Sequence, residues 1–172
     1  SELHNGVPLE QVFSEYYDAH SDAIFRFCFF QTGDRNISLD IMQETFTKAW
    51  EALTAGTVLE NPRAFLYRVA KNKVIDYYRK KRSVSLDEML SEGIEFGGVD
   101  EEADLVLKDE AGRLYELVDD LDARSREIIT LRYGEDLSIP EISEMLGISE
   151  NNASVRLHRA LKKLEEKTNE IN

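Results

Sequence analysis

The sequence predicts an all-α protein in which an acidic, flexible linker joins two small helical domains. Apolar residues recur at three-to-four spacing along most of the 172-residue chain, and this is the periodicity of amphipathic helices. Only three prolines and nine glycines interrupt the pattern, which favours long helices. The periodicity fails over residues 83–104. The chain therefore divides into a three-helix domain over 7–82 and a four-helix domain over 105–168.

The first domain begins with two amphipathic helices, predicted over about Leu9–Gln31 and Ser38–Leu53, with the segment TGDRN between them. The third helix begins after Asn61, a residue type that often caps helices. Pro62 follows it and suits the first helical position. This helix is predicted to end near Arg82, where the linker begins.

The linker is rich in acidic residues and contains three glycines, a composition typical of flexible segments. In the second domain, Ser138 and Glu141 have the spacing of a capping box, which marks a helix start. Gly147 ends that helix, and Ser149 caps the last one. The four helices are predicted over about 105–121, 122–134, 138–147 and 149–168.

The last two helices have the pattern of a helix-turn-helix, because a tight turn with Gly147 separates them. One side of the last helix is apolar and the opposite side is polar and cationic, as a helix in the DNA major groove requires. We expect its N-terminal residues to contact base edges. The alternative, an ordinary helical hairpin with a solvated charged face, fits the spacing equally well. The expected base-contacting residues are Asn152, Val155, Arg156 and Arg159.

The third helix is unusually basic, with eight Lys and Arg residues between Arg63 and Arg82 and only Asp76 to offset them. Such a cationic stripe beside an aromatic ring suits a nucleic-acid strand with an unstacked base. The alternative is a solvated charged face. The formal net charge of −13 confines any affinity for phosphate to this segment and the last helix. The stripe, which we expect to be exposed, contains Arg68, Lys71, Asn72 and Arg79, with Tyr67 at its edge.

The second helix carries a polar ridge of Asp40, Gln43, Glu44 and Lys48 beside Phe46. This ridge is either a protein-docking surface or the solvated face of a core helix, and the spacing does not choose between them.

Other classes of protein are disfavoured. The chain has no glycine-rich phosphate loop, zinc-ligand spacing or nucleophile–base pair, so we expect no enzyme activity, cofactor, metal or small-molecule substrate. No apolar run approaches the ~18 residues of a membrane span, and no secretion signal is visible. Cys28 lies in the apolar stretch AIFRFCFF and suits a reducing compartment, so the expected location is the cytoplasm.

Three segments, in order, resemble the extracytoplasmic-function group of bacterial sigma factors. DIMQETFTKAW resembles the polymerase-binding helix of that family. NPRAFLYRVAKNKVIDYYRKKRS resembles its helix for the downstream (minus-ten) promoter element. The segment from LDARSREIITLRYG to NNASVRLHRALKKL resembles its domain for the upstream (minus-thirty-five) element. The resemblance implies core RNA polymerase and promoter DNA as partners, with roles in strand opening and transcription initiation, and makes an anti-sigma factor plausible.

The resemblance also implies residue roles. It places the loop Thr54–Asn61 where the family holds a flipped promoter base. Ser154 and Val155 depart from the family pattern, so they leave the promoter sequence open but not the class. A helix-turn-helix regulator that acts without polymerase remains the alternative function. The implied polymerase-binding residues are Asp40, Gln43, Glu44 and Phe46. Those for the downstream element are Arg63, Tyr67, Arg68, Lys71, Asn72 and Arg79, and those for the upstream element are Asn152, Ser154, Val155, Arg156 and Arg159.

Overall fold

The structure is a computed structural model that describes residues 3–88 and 110–171, and its fold is all-α, as predicted. A short hairpin precedes the helices, and a single π-helical turn, Thr130–Gly134, continues the fifth of them. The described α-helices are α1 Leu9–Thr32, α2 Arg35–Thr54, α3 Pro62–Glu88, α4 Glu110–Val118, α5 Ala123–Ile129, α6 Ile139–Leu146 and α7 Glu150–Ile171.

The hairpin, which the sequence analysis did not predict, pairs β1 (Leu3–His4) with β2 (Val7–Pro8) in antiparallel register. Its strands are too short to show an alternating pattern. The signal for it was the dipeptide Asn5–Gly6, whose positive φ angles of 52° and 81° are those that tight hairpin turns need.

Hydrogen bonds move two helix ends away from their predicted positions. α2 begins at Arg35 because the Asp34 carboxylate accepts a hydrogen bond from the Ile37 amide at 3.0 Å and caps the helix there. α3 continues past Arg82 to Glu88, so the first residues of the predicted linker are helical. The rest of that linker and the predicted helix start near residue 105 lie outside the described residues.

The turn between α6 and α7 follows the predicted chemistry. The Glu141 amide donates to Ser138 Oγ at 3.3 Å, and the Ser138 amide donates to the Glu141 carboxylate at 3.0 Å, which completes the capping box. Gly147 adopts a left-handed conformation with φ of 67°, which glycine accepts without a steric penalty. Ser149 Oγ accepts from the Asn152 amide at 3.0 Å and caps α7.

One apolar core extends through both predicted domains. Phe27 and Phe29 of α1 belong to the same buried cluster as Val118 of α4 and Ile128 of α5. The sequence left the orientation of the domains open. In the structure, α1 packs directly on α5, and α3 packs directly on α6. Among the described helices, none is both long and apolar enough to cross a bilayer.

Asp122 joins the start of α5 to α7 and gives a prediction about pH. Burial alone would raise its pKa, but hydrogen bonds from Ser125 and Lys163 outweigh burial and hold the pKa at about 2. The folded state therefore binds this proton less readily than the unfolded chain, where the pKa is near 3.8. This contribution to stability is complete above the unfolded value and is lost as the pH falls towards 2.

We expect Asp122→Asn, which retains a capping side chain, to lower the free energy of unfolding at pH 7 by about 0.5–1 kcal/mol, the range for a partly exposed ion pair. The difference from the parent should shrink through pH 4 and vanish near pH 2. Urea denaturation at these three pH values measures it. A difference that does not change with pH would contradict the assigned cause.

Candidate nucleic-acid interface

α7 has the two faces that the sequence predicted. Ala153 and Ala160 are buried against the rest of the domain, at 0% and 2% exposure. Arg156 is half-buried at the edge of the opposite face. Side chains that can contact base edges or phosphates thus stand on the side away from the core. The exposed residues on this side are Asn152, Ser154, Val155 and Arg159.

A shallow polar depression lies beside this face, between α5 and α7. Its cations are Arg124 of α5 and Arg156, Arg159 and Lys163 of α7. Lys163 is paired with Asp122 at 3.0 Å, so the depression is not uniformly positive. Arg124, which the sequence analysis did not single out, is exposed and adds a cation from a second helix.

The basic helix α3 presents only part of its predicted stripe to solvent. Arg68, Asn72 and Arg79 are exposed along one side. Their spacing of about one helical turn or a multiple of it aligns them in one row. Arg79 has Asp76 at 4.0 Å, and both side chains are well exposed. This row agrees with the expectation of an exposed cationic stripe.

The other part of the stripe is covered by the C-terminal domain. Lys71 Nζ lies 3.1 Å from the Glu127 carboxylate of α5. Arg63 pairs with Glu141 of α6 at 2.8 Å. The expectation that the whole stripe is exposed is therefore corrected: the apolar packing of the two domains brings the acids of α5 and α6 onto α3.

Arg68 is exposed and also makes a contact with the C-terminal domain: its guanidinium donates to the backbone carbonyl of Glu144 in α6 at 2.8 Å. The adjacent Asn61 side chain donates to the Glu144 carboxylate at 2.8 Å. The N-terminal part of α3 and the C-terminal part of α6 are thus connected by two polar contacts.

Tyr67 is buried at 2% exposure, which corrects its expected place at the edge of the stripe. Its ring packs on Phe27 at a centroid distance of 4.6 Å, and its hydroxyl donates to Glu127 at 2.5 Å. Burial, with the Glu127 carboxylate beside it, raises the pKa of Tyr67 well above its ordinary value. In this arrangement the ring is not accessible to a base.

The polar ridge of α2 is exposed, but its aromatic member is not. Asp40, Gln43 and Glu44 face solvent. Phe46 is 3% exposed and makes edge-to-face contacts with Phe13 and Tyr17. The three polar residues thus form the exposed surface, and the ring of Phe46 lies beneath them on the apolar side of α2, where it fills the core between α1 and α2.

Glu44 also holds Lys73 of α3 at 3.0 Å. The Lys73 side chain, which is mostly buried, thus has a charged partner at the surface of α2. The loop between α2 and α3 is open: Val58 is 63% exposed, and Asn61 caps α3 through a 3.0 Å hydrogen bond from the Ala64 amide.

The residues that the sequence analysis missed are the acids between the domains. Glu127 is 4% exposed, and Glu135 holds Arg26 of α1 through two bonds of 2.7 and 2.8 Å. One signal in the sequence that the two domains pack together was the segment AIFRFCFF in α1. It is apolar on nearly every side, as expected of a helix that is covered all round and not by one domain alone.

Comparisons with known proteins agree with this geometry. The family model of sigma-70 region 2 matches residues 16–84, and that of sigma-70 region 4 matches residues 111–164. The RNA polymerase sigma factor SigV of Bacillus subtilis is 32% identical over 143 residues, covering 83% of this chain and 82% of the relative. The ECF RNA polymerase sigma factor SigM of the same organism is 31% identical over 153 residues, covering 87% and 91%.

Two solved structures share the fold. CnrH, in complex with the cytosolic domain of CnrY, is 26% identical, with a TM-score of 0.65 over 95% of this chain and 91% of that chain. The sigma factor RpoE of Bartonella quintana, in complex with the anti-sigma factor NepR, has a TM-score of 0.68 at 20% identity over 91% and 96%.

The burial of Phe46 gives a prediction that separates core from surface. Phe46→Ala should lower the free energy of unfolding by about 3–5 kcal/mol, because it leaves a cavity beside Phe13. Gln43→Ala, a neighbour on the exposed ridge, should change it by no more than about 0.5 kcal/mol. Chemical denaturation followed by circular dichroism measures both. Equal stability of the two variants would mean that Phe46 does not support the core.

Proposed function

This chain belongs to the extracytoplasmic-function group of sigma factors, which direct promoter recognition by RNA polymerase, and we propose how its residues divide that task. Residues 7–82 bind core polymerase and the minus-ten element. Residues 105–168 bind the minus-thirty-five element, and residues 83–104 connect the two. Such proteins are transcription regulators and not enzymes in the usual sense. We place the chain in the cytoplasm, with its polymerase.

Polymerase docking is assigned to the exposed ridge of α2. Asp40, Gln43 and Glu44 present two carboxylates and an amide on one helical face, while Phe46 supports that face from below. The support for this assignment is the exposure of the three polar side chains together with the family match over residues 16–84.

Strand opening is assigned to α3 and the loop before it. Arg68, Asn72 and Arg79 form the row that is exposed to a promoter strand, and Val58 is an exposed apolar side chain in the loop before α3. A base that leaves the stack loses a few kcal/mol, so it must be held elsewhere. Arg63, Lys71 and Tyr67 can take part only after the C-terminal domain moves away from α3.

Recognition of the upstream element is assigned to α7. The observation that carries the proposed function is that α7 has a buried face with Ala153 and Ala160 and an exposed polar face. Asn152 and Arg156 have the side chains that pair in a bidentate manner with adenine and guanine, respectively. Val155, 38% exposed, suits the methyl group of thymine. Ser154 and Arg159 complete the face, with Arg124 as an additional phosphate contact from α5.

An anti-sigma factor is proposed as a further partner. The RpoE structure named above is a complex with the anti-sigma factor NepR, and it shares the fold of this chain.

The test of the proposed function is reconstitution. We expect the full chain, added to core polymerase and genomic DNA fragments, to direct transcription from a small set of start sites that share two upstream elements. Mapping the transcripts by sequencing identifies them. Specific, tight promoter binding by the chain alone, without start sites that depend on it, would instead indicate a regulator that acts without polymerase.

Changes in the exposed row of α3 should affect opening more than assembly. Arg68→Ala or Asn72→Ala should lower the permanganate reactivity of melted promoter thymines, while affinity for core polymerase stays close to that of the parent. Arg113→Ala, which removes a cation of α4 outside both proposed faces, is the matched control. Equal losses of opening and of polymerase binding would count against the assignment.

Arg156→Ala should relax discrimination at one position of the upstream element by about 1–3 kcal/mol, the value of a bidentate base contact. Lys162→Ala, on the same helix, should weaken binding of all sequences alike, as the loss of a phosphate contact does. Holoenzyme affinity for a set of single-base promoter variants measures both. Unchanged discrimination in Arg156→Ala would move base recognition to another residue.

A further inference from the structure

The contact between the two domains occupies the part of α3 that is proposed to meet the promoter. Arg63, Tyr67, Arg68 and Lys71 follow one another at the spacing of one helical face. Each of the four makes a hydrogen bond or ion pair with a residue of α5 or α6.

The groups that occupy this face resemble phosphate in chemistry. Lys71 and Arg63 meet the carboxylates of Glu127 and Glu141, and Arg68 meets a backbone carbonyl. Carboxylate and phosphate oxygens are alternative partners for the same cations, with similar hydrogen-bond geometry. These acids already occupy donors of Lys71 and Arg63, whose side chains are about one third exposed, so a phosphate competes with the acids for the same two cations.

Glu127 is the most constrained of these acids. It is 4% exposed and accepts from Tyr67 and Lys71 together, so the three side chains form a buried cluster, here called the Glu127 cluster. A buried carboxylate is strongly destabilised when its partners are removed. When the domains separate, Glu127 loses Tyr67 and Lys71 but becomes hydrated. Hydration of the carboxylate offsets the loss of these two partners, so the contact can open and close.

The other side of the contact includes the helix that is proposed to recognise the upstream element. Arg156 of α7 is half-buried and close enough to Tyr67 to influence its ionisation. Arg156 is thus partly withdrawn from solvent, whereas Asn152 and Arg159 of the same helix stay exposed.

The packing at this contact is incomplete. An open pocket of about 220 Å³ lies between α1 and the C-terminal domain, lined by apolar residues such as Ile24 and Met145 and by charged ones such as Arg26 and Glu135. Arg63 contributes a buried Nε atom without a hydrogen-bond partner in the protein. The pocket and the unpaired donor show that this contact is less tightly packed than a protein interior.

We propose that in the absence of polymerase α5 and α6 of this chain compete with DNA for α3, with Glu127 and Glu141 in the positions that promoter phosphates occupy after the domains separate. This proposal rests on the proposed function of α3. The competition blocks the DNA-binding residues of α3 directly and locally, in addition to the long-range repulsion between DNA and a chain of net charge −13.

The test compares the full-length parent with two variants that weaken the contact. Glu127→Gln combined with Glu141→Gln removes both carboxylates. Tyr67→Phe removes one hydrogen bond of the Glu127 cluster without changing charge. Glu10→Gln combined with Glu15→Gln is the control, because it removes two exposed carboxylates of α1 outside the contact. Circular dichroism verifies that each variant folds.

The probe is a fluorescein-labelled oligo(dT) of about 20 nucleotides at roughly 0.1 M salt, where long-range repulsion is screened beyond ~10 Å. We expect about tenfold tighter binding by the double carboxylate variant, since affinity rises with the fraction of chain that is open. Tyr67→Phe should bind more tightly than the parent by a smaller factor. Small-angle X-ray scattering should show a larger radius of gyration for both variants.

Unchanged affinity in both contact variants, or an equal rise in the control, would overturn the proposal, the latter because net charge would then be the cause. Transcription with core polymerase distinguishes this result from failure of the proposed function. If parent and variants all direct transcription but bind the oligonucleotide alike, only the competition is refuted. If none directs transcription, the proposed function fails, while a tighter oligonucleotide complex still supports the masking of α3.

Discussion

The apolar segment AIFRFCFF of α1 requires cover on every side, and much of the structure follows from this requirement. Helices α2 and α3 cover one side. The other side would expose Phe29 and Phe30 to water, and in the structure both rings pack against Tyr115 of α4 at centroid distances of 5.5 and 5.8 Å. Since burial of large apolar side chains is the main favourable contribution to packing, the two domains adhere.

The polar contacts at this boundary follow from the apolar ones. Once α5 lies on α1, the Glu127 carboxylate leaves water, and an unpaired charge there would be strongly unfavourable. The basic helix supplies the partners, Lys71 and the hydroxyl of Tyr67. Cations that we propose to bind DNA thus also stabilise the protein's own fold. The acids of the C-terminal domain thereby reduce the mutual repulsion of the eight Lys and Arg residues in the basic helix.

The sequence predicted the parts of the molecule that local chemistry determines. The all-α class, the capping box at Ser138 and the turn at Gly147 depend on neighbouring residues, and the structure agrees with them. The burial of Tyr67 could not be predicted with the same success, because it lies at the boundary between an apolar and a polar helical face. Which side of that boundary is covered depends on a partner far away in the chain.

The ion pairs between α3 and the C-terminal domain have a consequence for volume. If the domains part as proposed, the charges of Glu127, Glu141, Arg63 and Lys71 become fully hydrated, and water contracts around exposed charges, so the separated molecule together with its solvent occupies less volume than the closed one. Hydrostatic pressure favours the state of smaller volume. The division of this protein between its two arrangements is therefore a function of pressure, and compression moves it towards the form in which Arg63 and Lys71 face the solvent.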